Sequence, residues 1–385
     1  MTANSNPTPG AAETMIVAPP PSVRVPWLDV AKAYGILLVV YGHFVERLAD
    51  VQYHAAFLQF KFIYAFHIPL FFMLAGYVHR DHGEDTRTFL KSRAASRLLP
   101  ALVFNLLSLA IFLVVNPPAS KAELKQVVSS VLRFARGYPS YNWLMWFMVC
   151  LFTVEILHFF VGKHATTAPR LIALGVGSYL IGWVLLWQST FISSATGIAR
   201  NFWFINEALI AYPFFLAGIL ARRLRVFDRP PLAGRLLLLL ALLGLTLATF
   251  NRNTGPFVWK KAVVVMAGSS HGSPWLFPIT ALAGALMIIL LARMTPPARW
   301  LLFIGVNTIP LMGLDAILHD YINLPLAQWL SGFIPDTPWA VLLAGILVTA
   351  ATVAICAPVM YLLSRYLPQL MGRPKVNGPL LKNLI

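Results

Sequence analysis

From Leu98 to Asn116 the chain runs without a charged side chain, and from Trp339 to Leu363 it does so again. Segments of this length match the roughly 20 apolar residues that carry an α-helix across a bilayer. A helix satisfies its own backbone there, where no water can. The rest of the chain is consistent with the same solvent. Of its 385 residues 58% are hydrophobic and only 11% charged, and the mean hydropathy is +0.71. A soluble domain carries about 25% charged residues, so lipid is the main solvent of this protein.

Further clear apolar segments are Leu171–Gln188, Leu236–Phe250 and Trp275–Leu291. More mixed ones are Val30–Val45, Phe57–Val78, Trp143–Val161, Phe202–Leu220 and Trp300–Leu318. The expected architecture is an all-α integral membrane protein, a bundle of about ten transmembrane helices. Phe257–Gly268 is too short to span and carries Lys260 and Lys261, so it reads as interfacial or re-entrant. Residues 1–23, rich in Pro, Ala, Ser and Thr, lack the basic and apolar regions of a cleavable signal and read as a disordered cytosolic tail. Residues 24–364 then form the membrane domain and 365–385 a cytosolic tail, with no internal repeat.

The net charge of +16 does not point to nucleic acid, because the basic residues form no continuous stripe. They cluster between the apolar segments. With the N-terminus inside, the inner side holds 20 of the 30 Lys and Arg and the outer side 10. That asymmetry places both termini in the cytoplasm, in a multi-pass protein of the cell's inner membrane. Cys150 and Cys356 both fall inside apolar segments and suggest neither a disulfide framework nor a metal site.

Ionisable residues at membrane depth are costly, so each is a candidate for function. They are His43, His67, Glu155, His158, Asp315 and His319. Lys32 and His43 are 11 residues apart, which returns a helix to within about 20° of one face and separates them by roughly 16 Å along it. A cation at the helix mouth thus lies below an imidazole deeper in the membrane, with Asp29 placed to pair with Lys32. Lys32 also suits a snorkelling boundary position. His67 precedes Pro69, which is expected to kink the second span; packing and a site role are both open to it. Arg93 and Arg97, four apart, could clamp phosphates with their guanidinium forks, or serve only as inner-side charges.

Together these segments resemble the membrane acyltransferase type 3 family, and especially its fucose 4-O-acetylase-like branch. The resemblance rests on Arg24-x-x-Trp27-Leu28-Asp29 with Lys32 and then Gly42-His43. It rests also on the run from Phe66-His67-Ile-Pro69 to Gly76-Tyr77, on Arg93…Arg97-Leu-Leu-Pro100, and on Trp143-Leu-Met-Trp146-Phe147. The family often follows Ile-Gly-x-Asn-Ser/Thr with a histidine. Here Ile304-Gly305-Val306-Asn307-Thr308 is present, but Asp315 stands at the aligned position and His319 one turn later.

The resemblance implies cytosolic acetyl-CoA as donor and a glycan hydroxyl as acceptor, with no metal. It implies a catalytic role for His43, donor contacts at Lys32, and partners that include the lipid bilayer and polysaccharide synthesis machinery. Relatives with a fused extracytoplasmic hydrolase-like domain exist; this sequence carries none, so acceptor recognition falls to the helices and outer loops. His43 would act as general base or as a covalent acetyl carrier. His67 and Asp315 are further catalytic candidates. Tyr41, Asn307 and helix-end amides are candidate donors to a developing oxyanion. A secondary transporter using His, Asp and Glu as a proton relay is the competing reading. Against it, the paired broken helices of transport repeats are not evident.

Overall fold

The computed structural model describes residues 25–80, 83–196, 201–228, 232–254 and 263–385. The expected N-terminal tail, Arg24, and the lysines of the 257–268 segment lie outside the described residues.

The described residues are helical, with no strand beyond an isolated bridge between Val265 and Ser270. In chain order the helices are α1 (Pro26–Asp50), α2 (His54–Tyr64), α3 (His67–Val78), α4 (Thr86–Arg93), α5 (Leu99–Val115), α6 (Lys121–Leu132) and α7 (Trp146–Phe160). They continue as α8 (Ala168–Thr196), α9 (Ile205–Arg223), α10 (Leu232–Phe250), α11 (Leu276–Met294), α12 (Arg299–Val306), α13 (Thr308–Leu318), α14 (Leu324–Leu330) and α15 (Pro338–Tyr366). π-helical turns join α4 to α5 (Ala94–Leu98) and α13 to α14 (His319–Asn323).

Eight helical stretches among the described residues are long and apolar enough to cross a membrane, and a ninth if α12 and Thr308–Leu330 form one bent span. Gly234–Phe250 in α10 is apolar but shorter. The polar helix α6, with no buried residue, is an addition that the apolar pattern did not foretell.

Two expected spans are broken. The second breaks at Ala65–Phe66, ahead of His67, and not at Pro69. Pro69 instead sits in the first turn of α3, where its missing N–H leaves no bond unmade. The expected span from Trp300 to Leu318 bends by 76° between α12 and α13. Asn307 makes the bend: its Nδ2 donates to the Phe303 carbonyl at 2.8 Å and its Oδ1 accepts from Ser364 Oγ. Pro310, lacking an N–H, follows in the first turn of α13.

Helix α1 is the axis of the bundle, buried along most of its length and packed by α2, α3, α11, α12, α13 and α15. Close approach at its start is set by Gly305, where an added Cβ would lie 1.8 Å from the Asp29 carbonyl oxygen. Helices α3 and α9 interlock the same way, since a Cβ on Gly218 would lie 2.0 Å from the Met73 carbonyl oxygen. Small residues permit such backbone contact between membrane helices, and dispersion forces then hold it. After Tyr366 the chain does not leave the body of the protein: Pro368, Gln369 and Met371 are buried, and Gly372 turns at φ +81° against Ile309 and Pro100.

Candidate active site

Because Gly305 meets Asp29 at the start of α1, helix α13 leaves the bend at Asn307 and travels alongside α1 toward its C-terminal end. That delivers Asp315 to His43. The two side chains are 6% and 0% exposed, and His43 Nδ1–H donates to Asp315 Oδ2 at 2.6 Å. An imidazole that gives its Nδ1 proton to a carboxylate keeps its lone pair on Nε2, and the carboxylate stabilises the charge that arrives when Nε2 takes a proton.

His43 faces a cavity of about 430 Å³, within the range typical of small-molecule sites. One stripe of α1 forms a wall of it: Ile36, Val39, His43, Glu46 and Arg47 recur at helical spacing. Below His43 the lining is apolar, with Phe71, Phe147, Ile309 and Met312; above it Glu46, Arg47, Tyr64, His319 and Asp320 make it polar. Trp143 and the loop from Val264 to Gly268 complete that end.

His67 lines the same cavity and is 3% exposed. Its Nδ1–H donates at 2.9 Å to the Ile63 carbonyl at the end of α2, so the imidazole bridges the break between α2 and α3 and presents Nε2 elsewhere. The His67 and Tyr64 rings are 4.7 Å apart. Tyr64 OH in turn donates to Glu46 Oε2 at 3.0 Å. His319, one turn after Asp315, sits with its ring 5.0 Å from that of His43. Arg47 Nη2 donates to His319 Nε2 at 2.9 Å, and Nη1 donates to Asp50 at 3.2 Å. The Asp315 carboxylate thus bonds the His43 ring, and the His319 imidazole stands beside it.

The remaining predicted residues lie outside the cavity lining. Lys32, one turn below Ile36 on the same α1 face, donates to Asp29 Oδ1 at 3.1 Å and is one-third exposed. Arg97 Nε and Nη2 each donate to the buried Glu155 at 3.0 Å, and Arg93 Nη1 lies 3.6 Å from the same carboxylate. The π-helical turn at Ala94–Leu98 inserts an extra residue before α5 and precedes the first turn of that span. Neither expected side-chain oxyanion donor lines the cavity: Tyr41 OH donates to Gln59, and the Asn307 side chain is engaged by Phe303 and Ser364. Glu46, Arg47, Tyr64 and Asp320 were not foreseen as site residues. Continuing the Lys32–His43 face by one more turn would have found Glu46 and Arg47.

Among the described residues no group of three or more His, Cys, Asp or Glu is placed to hold a metal ion. No curated protein and no solved structure matches the chain. A family model described as an acyltransferase domain matches residues 25–361. That span takes in α1 with its imidazole, the bent α12–α13 unit with its carboxylate, and nearly all the membrane helices, so the chain belongs to the acyltransferase 3 family, whose chemistry is acyl transfer to a hydroxyl.

Proposed function

We propose that this protein transfers an acetyl group from cytosolic acetyl-CoA to a hydroxyl of a glycan, a cell-surface or exopolysaccharide precursor, in the cell's inner membrane. The observation that carries the reading is the buried His43–Asp315 pair facing a cavity that is apolar on one side of the imidazole and polar on the other. The proposed topology has about ten crossings, counting α10 and the bent pair, with both termini cytoplasmic.

In this mechanism the thioester arm enters through the apolar part and the acceptor occupies the polar part. His43 Nε2 accepts the proton of the acceptor hydroxyl as its oxygen attacks the thioester carbonyl. The tetrahedral intermediate collapses with cleavage of the carbon–sulfur bond. The proton held by His43 passes to the departing sulfur, giving the acetyl ester and free CoA. Asp315 keeps the ring in the reactive tautomer throughout. His67 Nε2 is the second imidazole available to the reacting groups. Lys32 and Arg93 are the proposed contacts for the donor phosphates, with Arg97 adding the guanidinium edge that Glu155 does not use.

The test is the purified chain in nanodiscs with radiolabelled acetyl-CoA. It should bind the donor more weakly as salt rises, since phosphates carry the attraction. It should release CoA in step with labelling of a glycan. Failure to bind any CoA thioester, together with movement of a solute across liposomes, would replace this reading with transport.

A further inference from the structure

The polar part of the cavity is more than a mouth for His43. Glu46 and Asp320 line it together with one guanidinium, that of Arg47, and Asp315 stands behind His43. Arg47 is itself tied to Asp50 on one side and to His319 on the other. Accepting from Arg47 at Nε2 places the His319 proton on Nδ1, so this imidazole adds no positive charge in the bond it makes. Among the described residues, Arg133, Arg136 and Arg252 of the intervening loops are exposed and do not line the cavity. Trp143, 42% exposed, stands at the edge with its ring stacked near Tyr138 at 6.5 Å and 17°.

An anionic guest here would meet several like charges in a site shielded from solvent, where screening is weak. A neutral polyhydroxyl ring would find what it needs. Carboxylates accept its O–H groups, the guanidinium donates to its oxygens, and an indole face covers its apolar side. We infer that this half of the cavity is the acceptor subsite, that Glu46, Arg47 and Asp320 hold the acceptor in it, and that it takes an uncharged sugar ring and rejects an acidic one. The inference rests on the acyl-transfer reading and names the acceptor class within it.

The experiment uses the full chain in nanodiscs, labelled acetyl-CoA, and matched gluco-oligosaccharides and oligoglucuronates of equal length. Neutral acceptors should be favoured by about tenfold or more in kcat/KM, the scale on which like-charge contact separates partners. The double variant Glu46→Gln, Asp320→Asn keeps the shape and one accepting oxygen of each side chain and removes two negative charges. It should narrow that preference by about tenfold, mainly through the acceptor KM. Acetyl-CoA binding, measured on the same samples, reports that the variant is folded. Equal use of both acceptors by the unaltered chain, or a preference unmoved by the double variant, overturns the inference while acyl transfer stands. Absence of transfer to every hydroxyl acceptor overturns the acyl-transfer reading, and the inference with it.

Discussion

His43 and Asp315 are 272 residues apart in the chain, yet His43 Nδ1 lies 2.6 Å from Asp315 Oδ2. The bond is directional, and that makes it testable. Asp315→Asn preserves shape but offers an N–H, which rewards the imidazole tautomer with its proton on Nε2, the wrong place for a base. Turnover should fall by about 10²–10⁴-fold while acetyl-CoA binding persists. His43→Ala should abolish transfer with equally little effect on donor binding, and His67→Ala should give a partial loss. Normal turnover by well-folded His43→Ala would sink the base mechanism, and an acetyl adduct trapped on His43 would convert it into a covalent relay.

Arg97 and Glu155 form a two-point contact at membrane depth. Arg97→Lys cannot reproduce the fork, and Arg97→Gln leaves a buried carboxylate with only the longer Arg93 contact. Loss of one partner of a buried pair costs about 3–5 kcal/mol, so yield of folded protein should drop. Glu155→Gln in the same chain should restore yield. If Arg97 also holds the donor, the rescued double variant will still show a raised KM for acetyl-CoA and an unchanged acceptor KM. A normal donor KM would confine Arg97 to structure.

Gly218→Ala would drive a methyl group into the Met73 carbonyl oxygen and to 2.7 Å from the Tyr77 backbone nitrogen. Backbone cannot step aside as a side chain can. Overpacking of this kind costs about 1–3 kcal/mol, and the melting temperature in detergent should fall accordingly. The open positions Gly177 and Gly244 are the controls, since nothing lies within 4 Å of a Cβ there.

His271, in the loop before α11, is fully buried beside Trp183 and Phe277, and neither ring nitrogen has a hydrogen-bond partner among the described residues. Burial lowers its pKa from 6.5 to about 3. The unfolded chain therefore binds a proton between those values that the folded chain does not, so stability is full above about pH 6.5 and declines as pH falls toward 3. His271→Phe should flatten that slope in a melting series over this window. An unchanged slope would show that other groups set it.

The charge asymmetry of the connecting segments predicts that a reporter active only outside the cytoplasm will be silent when fused to the C-terminus. Strong signal there would break the even number of crossings.

Hydropathy made the helices legible, because the length of an uncharged run and the thickness of lipid are the same constraint. It could not place breaks. Pro69 looks like the cause of a kink, yet the helix already restarts two residues before it, and the bend at Asn307 depends on Ser364, 57 residues away. His43 and Lys32 were legible as a face of one helix, since their relation is local. The union of Asp315 with His43 and of Arg97 with Glu155 was not, since spacing along a chain carries no record of which helices become neighbours. Glu46 and Arg47 looked like ordinary residues at a helix end, and only the cavity wall shows that the same stripe continues through them.

The docking of Gly305 on Asp29 has a consequence for how the protein is made. The helix bearing the imidazole is synthesised first, and it must wait in the bilayer while most of the other spans are inserted. Only when α12 seats itself on the start of α1 does α13 bring up the carboxylate. Until then the nascent chain holds the imidazole without its carboxylate partner. Coexpressed halves divided between α11 and α12 would have to rejoin across the contacts of α1 with α12, α13 and α15 before His43 met Asp315.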